Sequence, residues 1–120
     1  MMDSHPVMDL SAAVNRFDGD HELFLTLAAM FVERVPQTLT TIHDALASQD
    51  FPVLATEAHK LKGSALEFCA RPAVAAAALL EASARQAAVQ DAMTHGERVR
   101  TETQRLTDEL KAIIERGFPS

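Results

Sequence analysis

Apolar residues recur every three or four positions along most of the chain, which is the spacing of one face of an α-helix. The pattern predicts a short helix after Asp9 and a long second helix that Asp20 caps and that closes at Ser48. Pro36 interrupts the second stripe, which continues in phase on both sides, so a kinked helix is favoured over two helices meeting there. Sustained strand alternation and hairpin turns are absent from the sequence.

Three further helices complete this pattern. Asp50 can cap a third helix, and Arg71-Pro72 ends that helix and opens an alanine-rich fourth one. The fifth helix begins at Asp91, or at Thr94 through a capping box that spans 94–97. We therefore expect an all-α protein with one domain over residues 1–120. The expected architecture is an up-and-down antiparallel four-helix bundle with the short N-terminal helix across one end.

Composition narrows the class of protein. Apolar residues make up 48% of the 120 positions and charged residues 23%, a balance typical of a folded globular domain. Eleven basic and 17 acidic residues give a net charge of −6, and Trp and Tyr are absent, so we expect no nucleic-acid partner. No apolar run approaches the roughly 18 residues of a membrane span. The single Cys69 excludes an internal disulfide and a multi-cysteine metal site. We expect the protein to be a cytoplasmic monomer that binds no metal.

The third helix carries a second, polar stripe beside its buried one. His59, Lys62, Gly63 and Leu66 lie at helical spacing on this stripe, which we expect to face solvent. A glycine inside a helix costs about 1 kcal/mol relative to alanine. Because alanine is abundant in this chain, Gly63 indicates that something approaches the backbone there or that the histidine ring must stay uncrowded.

This combination favours phosphoryl chemistry at His59. A neutral imidazole is a good nitrogen nucleophile near pH 7. Lys62 supplies a positive charge for phosphoryl oxygens, and Gly63 leaves room for an in-line approach. Helix position alone favours a structural or idle surface histidine at this position, and the interpretation as a phosphoryl acceptor depends on Lys62, Gly63 and the wider sequence pattern.

The segment from Ala58 to Ala65 resembles the signature of histidine-containing phosphotransfer (HPt) domains of multistep phosphorelays. The segment from Asp18 to Phe24, Ala70 eleven residues after His59, and the pair Leu80-Glu81 are similar to recurring positions of that family. The resemblance covers roughly residues 8 to 90. It implies a four-helix bundle whose exposed histidine accepts a phosphoryl group from a receiver-domain aspartate and passes it on. Such a protein is a phosphocarrier rather than an enzyme.

The resemblance also assigns roles. It makes His59 the phosphorylation site and Lys62 the cation that stabilises the phosphoryl group, and Glu81 a candidate for orienting the ring through its other nitrogen. The implied partners are receiver domains of a hybrid histidine kinase and of a response regulator. No cofactor is expected on this chain, since the Mg²⁺ belongs to the receiver. Lys60 and Leu66 are candidate partner contacts, although Lys60 is also readable as a solvated lysine and Leu66 as a core-rim residue.

Some positions depart from the family pattern. Many members have small residues seven and eight positions after the histidine and a glycine at ten, where this chain has Leu66, Glu67 and Cys69. The bulk of Leu66 changes the docking surface. An alternative function is an interaction module that binds a receiver or kinase domain without carrying phosphate. A hydrolase using His59 as a general base ranks last.

Overall fold

A computed structural model describes residues 6–119, which form five α-helices and no β-strand. The helices are α1 (Leu10–Arg16), α2 (His21–Ser48), α3 (Phe51–Glu67), α4 (Arg71–Arg85) and α5 (Val89–Arg116). The prediction of an all-α protein is confirmed. Within the described residues, no helix is both long and apolar enough to cross a membrane.

Both aspartates predicted to cap helices do so. The Asp20 carboxylate accepts a hydrogen bond from the backbone N–H of Leu23 at 3.0 Å, and Asp50 accepts one from Val53 at 3.3 Å. Each bond satisfies an N–H group that has no partner within its helix. The second helix runs without interruption through Pro36, which excludes the alternative of two helices meeting there.

The predicted start of the fifth helix is wrong. The helix begins at Val89, its N-cap is Ala88, and no side chain caps it. The reason lies in the preceding turn, where Ala87 adopts a left-handed backbone with φ of 53°. The backbone N–H of Ala88 then bonds the carbonyl of Ser83 at 2.9 Å, which closes α4 and lets α5 start at once. Of the two predicted starts, Asp91 therefore lies in the first turn of the helix and the expected capping residue Thr94 in the second.

The four longer helices pack around a shared core. The second helix contacts α3 and α5, and the fourth helix also contacts α3 and α5. The largest fully buried side chains come from all four of these helices and from the loop after α3: Phe24, Leu54, Phe68, Leu80, Val99, Thr103, Leu106 and Leu110. On α4 most buried residues are alanines, which allow close approach to its neighbours.

The first helix lies where several helix ends meet. The backbone N–H of Asp9 donates to the carbonyl of Cys69, just beyond α3, at 3.0 Å. The ring of Phe17 meets Phe24, near the start of α2, edge-on with centroids 5.8 Å apart. The ring of Phe118, beyond the end of α5, lies 5.3 Å from Phe24. The beginning of α2 and the ends of α3 and α5 thus share one end of the molecule.

Candidate functional site

His59 stands in the middle of α3 with its side chain 63% exposed. Its neighbours Ala58 and Leu61 are buried and fix which face of the helix turns inward. The ring therefore projects from the adjoining face, as the polar stripe predicted. A reactant from solvent has access to it.

Gly63 lies one turn beyond His59 on the same face. Beyond its two chain neighbours and the backbone of its own helix, a Cβ built on this glycine meets no atom of the described residues within 4 Å. The space beside the ring is thus open, and no packing requirement within the described residues explains the missing side chain.

Glu81 reaches the histidine ring from α4. Its Oε2 lies 3.1 Å from Nδ1 of His59, and its Oε1 lies 3.1 Å from Nζ of Lys62. The Glu81 side chain is only 10% exposed, and that of Lys62 is 30% exposed. The structure thus brings together His59, Lys62 and Glu81, all of which the sequence singled out. The side chains of Lys62 and Glu81 are less exposed than their positions beside the buried face of each helix suggest.

A fourth member of this cluster escaped sequence reasoning. Arg85 donates to Oε2 of Glu81 from Nε at 3.2 Å and from Nη2 at 2.7 Å. The available signal was the i, i+4 spacing of Glu81 and Arg85 on one helix face, which is common on helix surfaces. Only the burial of Glu81 turns that ordinary pair into part of a site.

These contacts keep the Glu81 carboxylate charged. The hydrogen bonds from Arg85 and Lys62 outweigh the opposing effect of burial and lower the pKa of Glu81 to about 2. A charged carboxylate can only accept hydrogen bonds. A neutral His59 ring must therefore carry its proton on Nδ1 and donate a hydrogen bond from that nitrogen to Glu81. The lone pair of the ring is then on Nε2.

The residues expected to meet a partner lie at the surface. The Leu66 side chain is exposed, which does not fit its alternative as a core-rim residue. The Lys60 side chain is exposed, and its Nζ lies 3.5 Å from Oε2 of Glu57. Lys60 also borders a groove between α2 and α3 of about 400 Å³, which Met30 and Arg34 line from the other side. Lys60 and Lys62, the two lysines near the His59 ring, thus each have an acidic neighbour. Arg85 adds a third positive side chain to this face.

Comparison with protein families identifies the class of this chain. The family described as Hpt domain matches residues 26–115, which is more than half of the chain. The chain therefore belongs to the Hpt domain family, and to the phosphotransfer proteins of two-component signalling. Proteins of this family are phosphocarriers rather than enzymes. The match begins later than the resemblance in the sequence and extends through most of α5.

A solved structure agrees with this assignment. The chain is similar to the crystal structure of histidine-containing phosphotransfer protein B (HptB) from Pseudomonas aeruginosa PAO1, with a TM-score of 0.85 and 25% sequence identity. The similarity covers 94% of this chain and 98% of that one. Comparison with curated proteins finds no match.

Proposed function

We propose that this chain accepts a phosphoryl group on Nε2 of His59 from a receiver-domain aspartate of a hybrid histidine kinase and passes it to the receiver of a response regulator. The observation that carries the proposal is the exposed ring of His59, whose Nδ1 faces the buried Glu81 carboxylate at 3.1 Å. That contact directs the lone pair of Nε2 away from the protein. A histidine with only a structural role has no need of this arrangement.

The transfer is a displacement at phosphorus. The Nε2 lone pair forms the N–P bond while the P–O bond to the aspartate breaks, and the electron pair of that bond stays on the departing carboxylate. His59 keeps its proton on Nδ1, so the phosphorylated ring carries a positive charge that the adjacent Glu81 stabilises. In the forward transfer, a carboxylate oxygen of the second receiver attacks phosphorus and the bonding pair returns to Nε2.

The neighbouring residues serve this displacement. Lys62 offers its ammonium group to the phosphoryl oxygens, and the open space at Gly63 admits the aspartate in line with the N–P bond. The domain needs no cofactor of its own, because the receiver brings the Mg²⁺. Exposed Leu66 and Lys60 contact the receiver in a modest, transient interface.

The same proposal includes the architecture. We infer that residues 1–120 form one domain in which α2 to α5 make an up-and-down antiparallel four-helix bundle, with α1 across one end. The shared end formed by the start of α2 and the ends of α3 and α5 supports this arrangement. Such a domain works as a monomer in the cytoplasm, and its reactive histidine lies on the side of the bundle.

Phosphoryl transfer from a labelled receiver tests the proposal. The purified chain is incubated with a receiver carrying labelled aspartyl phosphate, and we expect label that survives alkali and is lost in acid. The variant His59→Gln should fold normally and take up no label, because the ring faces solvent. His43→Gln is the matched control, since His43 is also an exposed histidine within a long helix.

The outcomes separate the two functions considered. Label retained in His59→Gln would show that another residue carries the phosphoryl group. Receiver binding without any label in the unaltered chain would contradict the phosphocarrier and favour an interaction module.

A further inference from the structure

The Glu81 carboxylate divides its two oxygens among three groups. Its Oε1 faces Lys62, and its Oε2 faces both His59 and Arg85. Two positive side chains thus surround one negative charge, which leaves the unphosphorylated cluster with a surplus positive charge when the ring is neutral. This surplus is available to an incoming anion.

The two cations are not equivalent. Arg85 holds Oε2 through two nitrogens of a planar group, a geometry that fixes the carboxylate. Lys62 holds only Oε1, through a single point charge on a flexible stem, one turn from His59 on the same helix. A buried carboxylate is strongly destabilised when it loses every counter-ion. Lys62 can therefore leave Glu81 without stranding it, because Arg85 stays bound to the other oxygen.

We propose that Lys62 changes partner during the phosphoryl cycle, from Oε1 of Glu81 in the free chain to the phosphoryl oxygens on His59 in the phosphorylated chain, while Arg85 keeps Glu81 bonded to Nδ1. This inference rests on the proposed function. It makes Arg85 a positioning residue, which acts through Glu81 and touches no reacting atom.

Charge decides the direction of the exchange. The phosphoryl group brings about two negative charges, against one on Glu81, so its oxygens attract the Lys62 ammonium more strongly. The phosphorylated ring carries one positive charge, and the whole cluster then becomes neutral with all of its charges paired. Without Arg85, Lys62 would have to choose between the phosphoryl group and the buried carboxylate.

A double-mutant cycle tests this choice. The quantity measured is the equilibrium constant for phosphoryl transfer from a receiver onto His59. The effect of Arg85→Gln on this constant is determined twice, once as a single substitution and once in a Lys62→Ala background. As a single substitution, Arg85→Gln should lower this equilibrium constant about tenfold, which corresponds to the free energy of one charge-assisted hydrogen bond. In the Lys62→Ala background we expect less than about threefold, because no lysine remains to be exchanged. Arg85→Lys should restore only part of the loss, because a single ammonium group cannot make the two-nitrogen contact with Oε2.

Arg100→Gln is the matched control. The Arg100 side chain is 66% exposed, against 64% for Arg85, and it also pairs with a carboxylate on its own helix. We expect its transfer equilibrium to change by less than about twofold. Circular dichroism and thermal unfolding confirm that each variant is folded.

A second measurement needs no substitution. The ¹⁵N resonance of the Lys62 ammonium should shift when His59 is phosphorylated, while that of Lys60 should stay unchanged. Equal losses in both backgrounds, or an unmoved Lys62 resonance in a labelled chain, would overturn the exchange and leave the phosphocarrier function standing. An unaltered chain that takes up no label would overturn both.

Discussion

Replacing Glu81 with glutamine isolates the charge at the centre of the cluster. The amide keeps the shape of the side chain and an oxygen that can accept from His59, but it removes the negative charge that faces Lys62 and Arg85. Because the Glu81 side chain is only 10% exposed, solvent compensates for little of that loss.

The magnitude follows from the pKa. Lowering the pKa of Glu81 from 4.5 to about 2 corresponds to about 3 kcal/mol of folding free energy. Arg85 is 64% exposed, so we reduce the expected destabilisation by Glu81→Gln at pH 7 to about 2 kcal/mol. The folded state has the lower pKa, so the unfolded chain binds more protons between pH 2 and 4.5. The contribution is therefore complete above about pH 5 and is lost as the pH falls from 4.5 toward 2.

Urea unfolding measures the difference in the free energy of unfolding between Glu81→Gln and the unaltered chain. Measurements at about pH 7, 5, 4 and 3.5 cross this window. Glu97→Gln is the control, because Glu97 also pairs with an arginine but its side chain is 67% exposed. We expect the control to cost less than about 0.5 kcal/mol at every pH. Equal costs for the two variants, or a Glu81→Gln cost that does not shrink below pH 4.5, would refute the reasoning.

The remaining predictions concern glycines and the docking surface. Gly63→Ala should raise the free energy of unfolding by about 1 kcal/mol, because its Cβ meets open space, and should slow transfer from a receiver by narrowing the space through which the aspartyl phosphate approaches. Gly96→Ala should be less stable than Gly63→Ala by up to about 1 kcal/mol in urea unfolding, because its Cβ would lie 2.6 Å from Cδ1 of Leu46 and the end of that half-buried side chain would have to move. Leu66→Ser should weaken receiver binding, measured by titration calorimetry, while stability changes by less than about 0.5 kcal/mol. Unchanged affinity would remove Leu66 from the interface.

Local signals carried most of the fold. Helical periodicity and short-range capping specify elements that depend on residues three or four positions apart, as at Asp20 and Asp50. The start of α5 depended instead on how the chain reverses after α4. The left-handed backbone at Ala87 has no signature in an alanine side chain, so the conspicuous capping box around Thr94 was misleading.

The site was predictable along one helix and less so between helices. His59, Lys62 and Gly63 share a face of α3, and the helical repeat alone places them together. Whether Glu81 meets them depends on the rotation of α4 about its own axis, which the small alanine side chains around it do little to indicate. Arg85 depends on that same rotation, since it belongs to the site only because Glu81 is turned inward.

The two glycines inside helices show what the structure adds to the sequence. Gly63 and Gly96 carry the same intrinsic cost to their helices, and helical spacing places Gly63 on the polar stripe of α3 and Gly96 on the inward face of α5. At Gly96 the side chain of Leu46 fills the space that a Cβ would need, so packing explains the glycine. At Gly63 no such neighbour lies among residues 6–119, so packing within that part of the chain offsets none of the cost to the helix. The open space lies beside His59, where an aspartyl phosphate would approach the ring under the proposed function, so that proposal offers a reason for Gly63 that packing does not.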